Sequence, residues 1–152
     1  MKLMKPFRCL FFAFVLLPLA AFAATTVVWQ GEVSSEGTPS PVVRLKLGHK
    51  YQLQVSGTIN LGKWRRHGEA LEDDACFEFG ADNSSPSAIF TFKNSMNVSV
   101  CDGRFHPSHV YQSLPFLAAQ NGIHFWIHDE DYENNSGSFQ VELIELDAPP
   151  VK

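Results

Sequence analysis

Much of what common enzymes and nucleic-acid-binding proteins need is missing from this sequence. After residue 25 no run is long and apolar enough to span a bilayer, which takes roughly 20 residues. No window of a dozen residues carries a convincing helical stripe of apolar positions. Gly-x-Ser-x-Gly, His-Glu-x-x-His and phosphate-loop motifs are absent. Positive charge is scarce, with 12 Lys and Arg against 16 Asp and Glu. Three of those cations, Lys2, Lys5 and Arg8, stand at the N-terminus; without them 9 face 16, a net of −7. A domain this acidic has no electrostatic footprint for nucleic acid and is repelled by an anionic membrane surface. Cysteine is scarce too, three in 152 residues.

The first residues read as an address rather than as fold. The basic n-region is followed by the apolar stretch from Cys9 to Phe22, and Ala21-Phe22-Ala23 places small residues where a signal peptidase reads. An uncleaved anchor is the alternative. Residues 1–23 are therefore expected to be a cleaved signal peptide, and the chain secreted or periplasmic, with no membrane insertion. About 129 residues remain from Ala24, the length of one domain with a real core. Cys9 leaves with the signal. Cys76 and Cys101 form an even pair in an oxidising setting and are expected to be bonded. Two cysteines alone make a poor zinc site.

Strand signals dominate the remainder. Val43, Leu45 and Leu47 alternate with Arg44 and Lys46. Tyr51, Leu53 and Val55, and later Phe139, Val141 and Leu143, alternate with polar residues in the same way. Period two with one polar face marks a half-buried strand. Further strands are expected at 26–33, 75–79, 89–93, 97–101, 116–119 and 123–128, separated by turn signals such as Asp102-Gly103 and Asn121-Gly122. Gly68–Asp74 has room for one short turn. The expected architecture is all-β, a single sandwich or jelly roll of about eight or nine strands over residues 24–147. The tail, residues 148–152, should fray, beginning after Leu146.

The segment richest in chemistry runs from His128 to Phe139. It carries Asp129, Glu130, Asp131, Glu133, Asn134 and Asn135 between two apolar strands. Calcium takes about six to eight hard oxygens from carboxylates, amides and carbonyls in forgiving geometry. This loop supplies all three types, and Gly137 permits the positive φ of a tight turn. It is not an EF-hand, since the spacing differs and no helices flank it. From composition alone, a solvated acidic hairpin turn stands beside the calcium reading.

Asn134-Asn135-Ser136-Gly137-Ser138-Phe139 before a final Val-containing strand resembles the calcium loop of the PA-I galactophilic lectin (PA-IL-like) family. Trp29-Gln30-Gly31-Glu32-Val33 is similar to that family's first strand. Tyr51–Gly57 followed by Gly62-Lys63-Trp64 is similar to its second block. The resemblance implies a galactose-binding-like β-sandwich in which sugar hydroxyls complete a calcium shell. It implies Asp129, Asn134 and Asn135 as side-chain ligands, a carbonyl from Asp131 or Tyr132, and another near Leu61. The chain departs from the family in two places. The stretch from Asp129 to Asn134 is shorter, and the family's sugar-contacting His and Gln lie farther beyond the Trp than His67. The segment from Cys76 to Tyr111 looks particular to a subgroup.

Trp126, His67 and Trp64 are the expected sugar contacts. His124, Trp126 and His128 share one strand face, where Trp126 either stacks on a sugar ring or packs as an ordinary aromatic. His106 and His109, with His124 and His128, could form a zinc site or be separate surface residues. Arg65-Arg66-His67 is a short basic run. The pairs Asp73/Asp74 and Asp129/Asp131 fit ligands or solvated groups better than an acid/base pair. The expected function is a non-catalytic, calcium-dependent carbohydrate-binding domain, with galactose-type glycans as one partner class. The alternative is a structural or protein-interaction domain in which the ion only stabilises the loop. An enzyme using the histidines is more distant.

Overall fold

A computed structural model describes residues 24–64 and 68–148. The expected signal peptide, the Arg65-Arg66-His67 run and residues 149–152 lie outside the described residues. The fold is all-β, with twelve strands and no helix among the described residues. The three long ones are β1 (Ala24–Ser34), β3 (Lys50–Ser56) and β12 (Ser138–Ala148). Between them come β2 (Val43–Arg44), β4 (Leu71–Asp73), β5 (Phe77–Gly80), β6 (Ser87–Ala88) and β7 (Phe92–Asn94). Then follow β8 (Val110–Gln112), β9 (Phe116–Leu117), β10 (Gly122–Ile123) and β11 (Phe125–Ile127).

The main sheet is antiparallel in the order β1-β12-β3-β8, and β9 also pairs with β3. Alternation explains its two faces. Tyr51, Leu53 and Val55 of β3 point inward, with Phe139, Val141 and Leu143 of β12 beside them, all essentially without solvent contact. Gln52, Gln54, Gln140 and Glu142 take the other face. A second layer, β7 paired with β11, covers the inner face. Phe125 stacks on Trp29 at 5.3 Å, and Phe92 meets Phe139 edge-on at 6.3 Å. Each fully buried side chain of this size contributes about 1.5–3 kcal/mol. Small sheets, β4-β5-β6 and β10-β2, complete the framework.

Twelve strands replace the expected eight or nine because side chains interrupt the ladders. The expected strand at 123–128 changes partner at His124. Ser95 Oγ accepts the His124 N–H at 3.3 Å and Ser40 Oγ accepts the Phe125 N–H at 3.0 Å, so β10 pairs with β2 and β11 with β7. No strand forms at 97–101. There Asn94 takes the backbone bonds, accepting from the Met96 and Val98 amides and donating to the Val98 carbonyl at 2.7 Å. Where a short turn was expected before Asp74, Leu71–Asp73 form β4, paired with β5. At the C-terminus β12 continues to Ala148, which pairs with Ala24, past the point where fraying is expected.

Cys76 and Cys101 are bonded, with a Cα–Cα distance of 5.6 Å. The adjacent Asp74 is fully buried and fully used. Its Oδ1 accepts the Cys76 and Phe77 amides, and its Oδ2 accepts the Tyr111 hydroxyl at 2.8 Å and meets His109 Nδ1 at 3.0 Å. Disulfide and carboxylate together clamp the segment around Cys101–Tyr111 to the start of β5.

Candidate functional site

The acidic loop, residues 128–137, joins β11 to β12. Two fully buried side chains, Ile127 and Phe139, anchor its ends. Tyr132 braces it from within. Its hydroxyl donates to the Ile127 carbonyl and accepts the Asp129 N–H, both at 3.2 Å, while its ring lies against Gly37. A Cβ on Gly37 would stand 2.9 Å from that ring. The Tyr132 carbonyl accepts the Asn135 N–H at 3.4 Å, closing a turn. Asp129 Oδ1 accepts the Glu130 amide at 2.8 Å, and Asp131 Oδ1 accepts the Glu133 amide at 3.1 Å. These two bonds shape the loop and leave lone pairs on both carboxylates.

Asn135 is held differently. Its Nδ2 donates to the Ser35 carbonyl at 2.9 Å. Ser35 in turn donates its N–H and its hydroxyl to the Gly137 carbonyl at 3.1 and 3.0 Å. This bond fixes which way the amide faces, and its Oδ1 is left buried without a hydrogen-bond partner among the described residues. Gly137 has φ +91°, the turn conformation expected of it.

The opposing wall comes from the turn after β3. Asn60 and Ser136 exchange backbone hydrogen bonds, and so do Ile59 and Asp73, which joins turn, loop and β4. Asn60 Oδ1 accepts the Gly62 N–H at 2.7 Å and its Nδ2 donates to the Leu71 carbonyl at 3.0 Å. Gly62 sits at φ +68°, and a Cβ there would lie 2.3 Å from Asn134 Cγ. Only glycine lets the Leu61-Gly62 backbone approach the Asn134 side chain so closely.

Asp73, on β4, completes the neighbourhood. Its relative exposure is 0%, and neither carboxylate oxygen has a hydrogen-bond partner among the described residues. Burial pushes its pKa up to about 7; Lys63 opposes that shift, and Glu78 and Asp129 add to it. The Leu61 amide eases the charge from nearby without reaching hydrogen-bond geometry. Burial also works against the Lys63 ammonium, but its hydrogen bond to Glu78 and the carboxylates of Asp73, Glu78 and Asp129 outweigh that, and its pKa is raised. Lys63 Nζ and Glu78 are 3.2 Å apart. Thus Gly62 abuts the Asn134 side chain, and Asp73 lies opposite Ile59 of the same turn, within electrostatic reach of Asp129 and Lys63; the sequence marked Asp73 only as half of an acidic pair and gave Lys63 no role of its own. The signal for Asp73 was present. It occupies the inward position of the alternation Leu71, Asp73, where an apolar side chain belongs.

The other candidates disperse. Trp64 is 66% exposed, two residues beyond Gly62. Trp126 is half-buried and stacks on His124 at 5.3 Å, on the face of β11 opposite Phe125 and Ile127. His106 pairs with Asp102 at 3.0 Å, and His109 lies on Phe79 at 4.7 Å while bound to Asp74. The four histidines, for which a zinc site stood beside the reading as separate surface residues, do not form a metal-binding group among the described residues. Among the described residues no three His, Cys, Asp or Glu side chains converge as a metal-binding group. Any ion at the loop therefore draws on amide and carbonyl oxygens as well as carboxylates, as calcium does.

The chain matches no protein-family model and no curated protein.

Proposed function

We propose that this chain is a secreted, non-catalytic domain that binds carbohydrate through calcium held by the 128–137 loop. The observation that carries the reading is the orphaned Asn135 Oδ1. A buried polar atom left without a partner costs about 1–3 kcal/mol, and a bound cation would remove that cost. The surrounding donors fit the ion. Asp129 supplies a carboxylate, Asn134 a second amide, Leu61 a carbonyl, and Asp131 or Tyr132 another. All are hard oxygens, which calcium favours over nitrogen or sulfur. Asn135 closes the inner side, whereas Asn134 and Asp131 are exposed. Neighbouring hydroxyls of a sugar can take the ion's outer positions in place of water. Trp64 offers the apolar surface on which a sugar ring can stack, and His67 lies just beyond it in the chain. Trp126 is the more buried alternative platform. Galactose-type glycans are the first ligands to test.

A purely structural ion is the second reading, and the burial of Asn135 Oδ1 favours it, because a shell closed by protein leaves no position for sugar. A glycan array run with calcium and with chelator, alongside melts of Asp129→Ala, Asn134→Ala and His109→Ala, separates the cases. The lectin reading expects chelator-sensitive glycan binding and a calcium-induced melting shift, both lost with the first two substitutions and kept with the third. A calcium shift without glycan binding leaves only the structural ion. Glycan binding that survives both loop substitutions refutes coordination through this loop.

A further inference from the structure

We infer that Asp73 is a second carboxylate ligand of the calcium, reaching the ion from β4 while Asp129 reaches it from the loop. The inference rests on the calcium reading above and adds a ligand that neither the loop's composition nor its family resemblance supplies. Asp73 and Asp74 are adjacent, and both are fully buried. Asp74 has four partners, two backbone amides, a tyrosine hydroxyl and a histidine. Asp73 has none among the described residues, on either oxygen. Buried carboxylates are paired, hydrogen-bonded or bound to metal. Asp74 is the structural one of the two; Asp73 lacks the partner that its burial calls for.

Position says what that partner is. Paired backbone bonds, at 2.8 and 2.9 Å, hold Asp73 opposite Ile59, two residues before Leu61 in the turn whose Gly62 abuts Asn134. Its carboxylate feels both Asp129 and the Leu61 amide. Two acids from separate chain segments thus act on each other beside the turn that abuts Asn134. Among the described residues the positive charge that acts on Asp73 is Lys63, whose side chain is 43% exposed and bound to Glu78 instead. Its ammonium acts on the carboxylates of Asp73 and Asp129 through space, without an ion pair to either. A dication between them satisfies both, with Asn135 Oδ1 completing the buried side. Lys63 then acts as a competitor for the same acids, and calcium has to displace its charge.

Calcium titration calorimetry and terbium luminescence lifetimes in light and heavy water test this on the full, disulfide-bonded chain. Terbium takes the oxygen ligands of calcium, and its lifetime reports how many waters it retains. Asp73→Asn keeps the shape and removes the charge. It is expected to weaken calcium binding by at least about tenfold, since the count of charged ligands tunes affinity, and to increase the waters on terbium. Lys63→Met is expected to tighten binding, because the competing ammonium is gone. Unchanged affinity and hydration in Asp73→Asn would overturn the inference and leave the loop site standing, as would an unchanged Lys63→Met. Absence of calcium binding in the unmodified chain would overturn the underlying reading instead.

Discussion

The metal-free protein carries a cost at Asp73 that can be measured without any ligand. The perturbation is Asp73→Asn, studied in calcium-depleted buffer. In the fold the carboxyl pKa is raised to about 7 from 3.8, mainly by burial. A raised carboxyl pKa means that the folded state holds a proton that the unfolded state has already lost. The unmodified fold is therefore favoured below about pH 4 and loses that advantage progressively as pH climbs to about 7. A rise of roughly 3 in pKa, at about 1.4 kcal/mol for each, makes the full loss about 4 kcal/mol. The substituted amide does not ionise, so the variant escapes this loss; its burial without a partner is a cost that the protonated carboxyl shares, and it cancels in the comparison. Near pH 8 the variant should be the more stable protein by a few kcal/mol, at most the full ionisation loss of about 4 kcal/mol. For a domain of this length that is several degrees in melting temperature, at roughly 3–6 °C per kcal/mol. Thermal melts followed by circular dichroism at pH 5 and pH 8 read the effect. The gap should shrink or reverse at pH 5, where both side chains are largely neutral. Parallel profiles for the two proteins, or a variant less stable at pH 8, would refute a buried and unpartnered carboxylate.

Three further outcomes follow from particular contacts. Gly62→Ala combines a strained positive φ with a collision against Asn134, so it should cost about 1 kcal/mol or more in a chemical melt and remove the calcium-induced shift. Tyr132→Phe deletes a donor to Ile127 and an acceptor for Asp129; about 1–3 kcal/mol of stability should go, and calcium should bind more weakly as Asp129 loosens. Replacing Cys76 and Cys101 together with serine opens a loop of 24 intervening residues, which in the chain-entropy model lowers stability by about 3–3.5 kcal/mol. Denaturant midpoints with and without reductant check the last, since the variant should be insensitive to reductant.

Local pattern was enough for the β class, for the core faces and for the cysteine pair. Tyr51, Leu53, Val55, Phe139, Val141 and Leu143 occupy the inward positions that alternation assigns them, because a pleated strand sends successive side chains to opposite faces. Gly137 was legible for a similar reason, since a turn entering a strand often needs a positive φ. Strand limits were not legible. At Asn94, Ser95 and Ser40 a single side chain captures backbone groups that a ladder would otherwise use, and periodicity carries no trace of that choice.

The loop between Ile127 and Phe139 announces itself by composition, because oxygen donors are concentrated within about ten residues. Which of those oxygens face inward is a different matter. The Asn135 amide is oriented by Ser35, 100 residues away, and Asn134 is admitted by the missing side chain of Gly62. Asp73 looks like half of an ordinary acidic pair in sequence, yet among the described residues Asp74 has four partners and Asp73 none. Donor type is a property of single residues and can be read from the chain. Desolvation, orientation and the pairing of charges depend on what long-range strand pairing places alongside, so only the tertiary structure decided them.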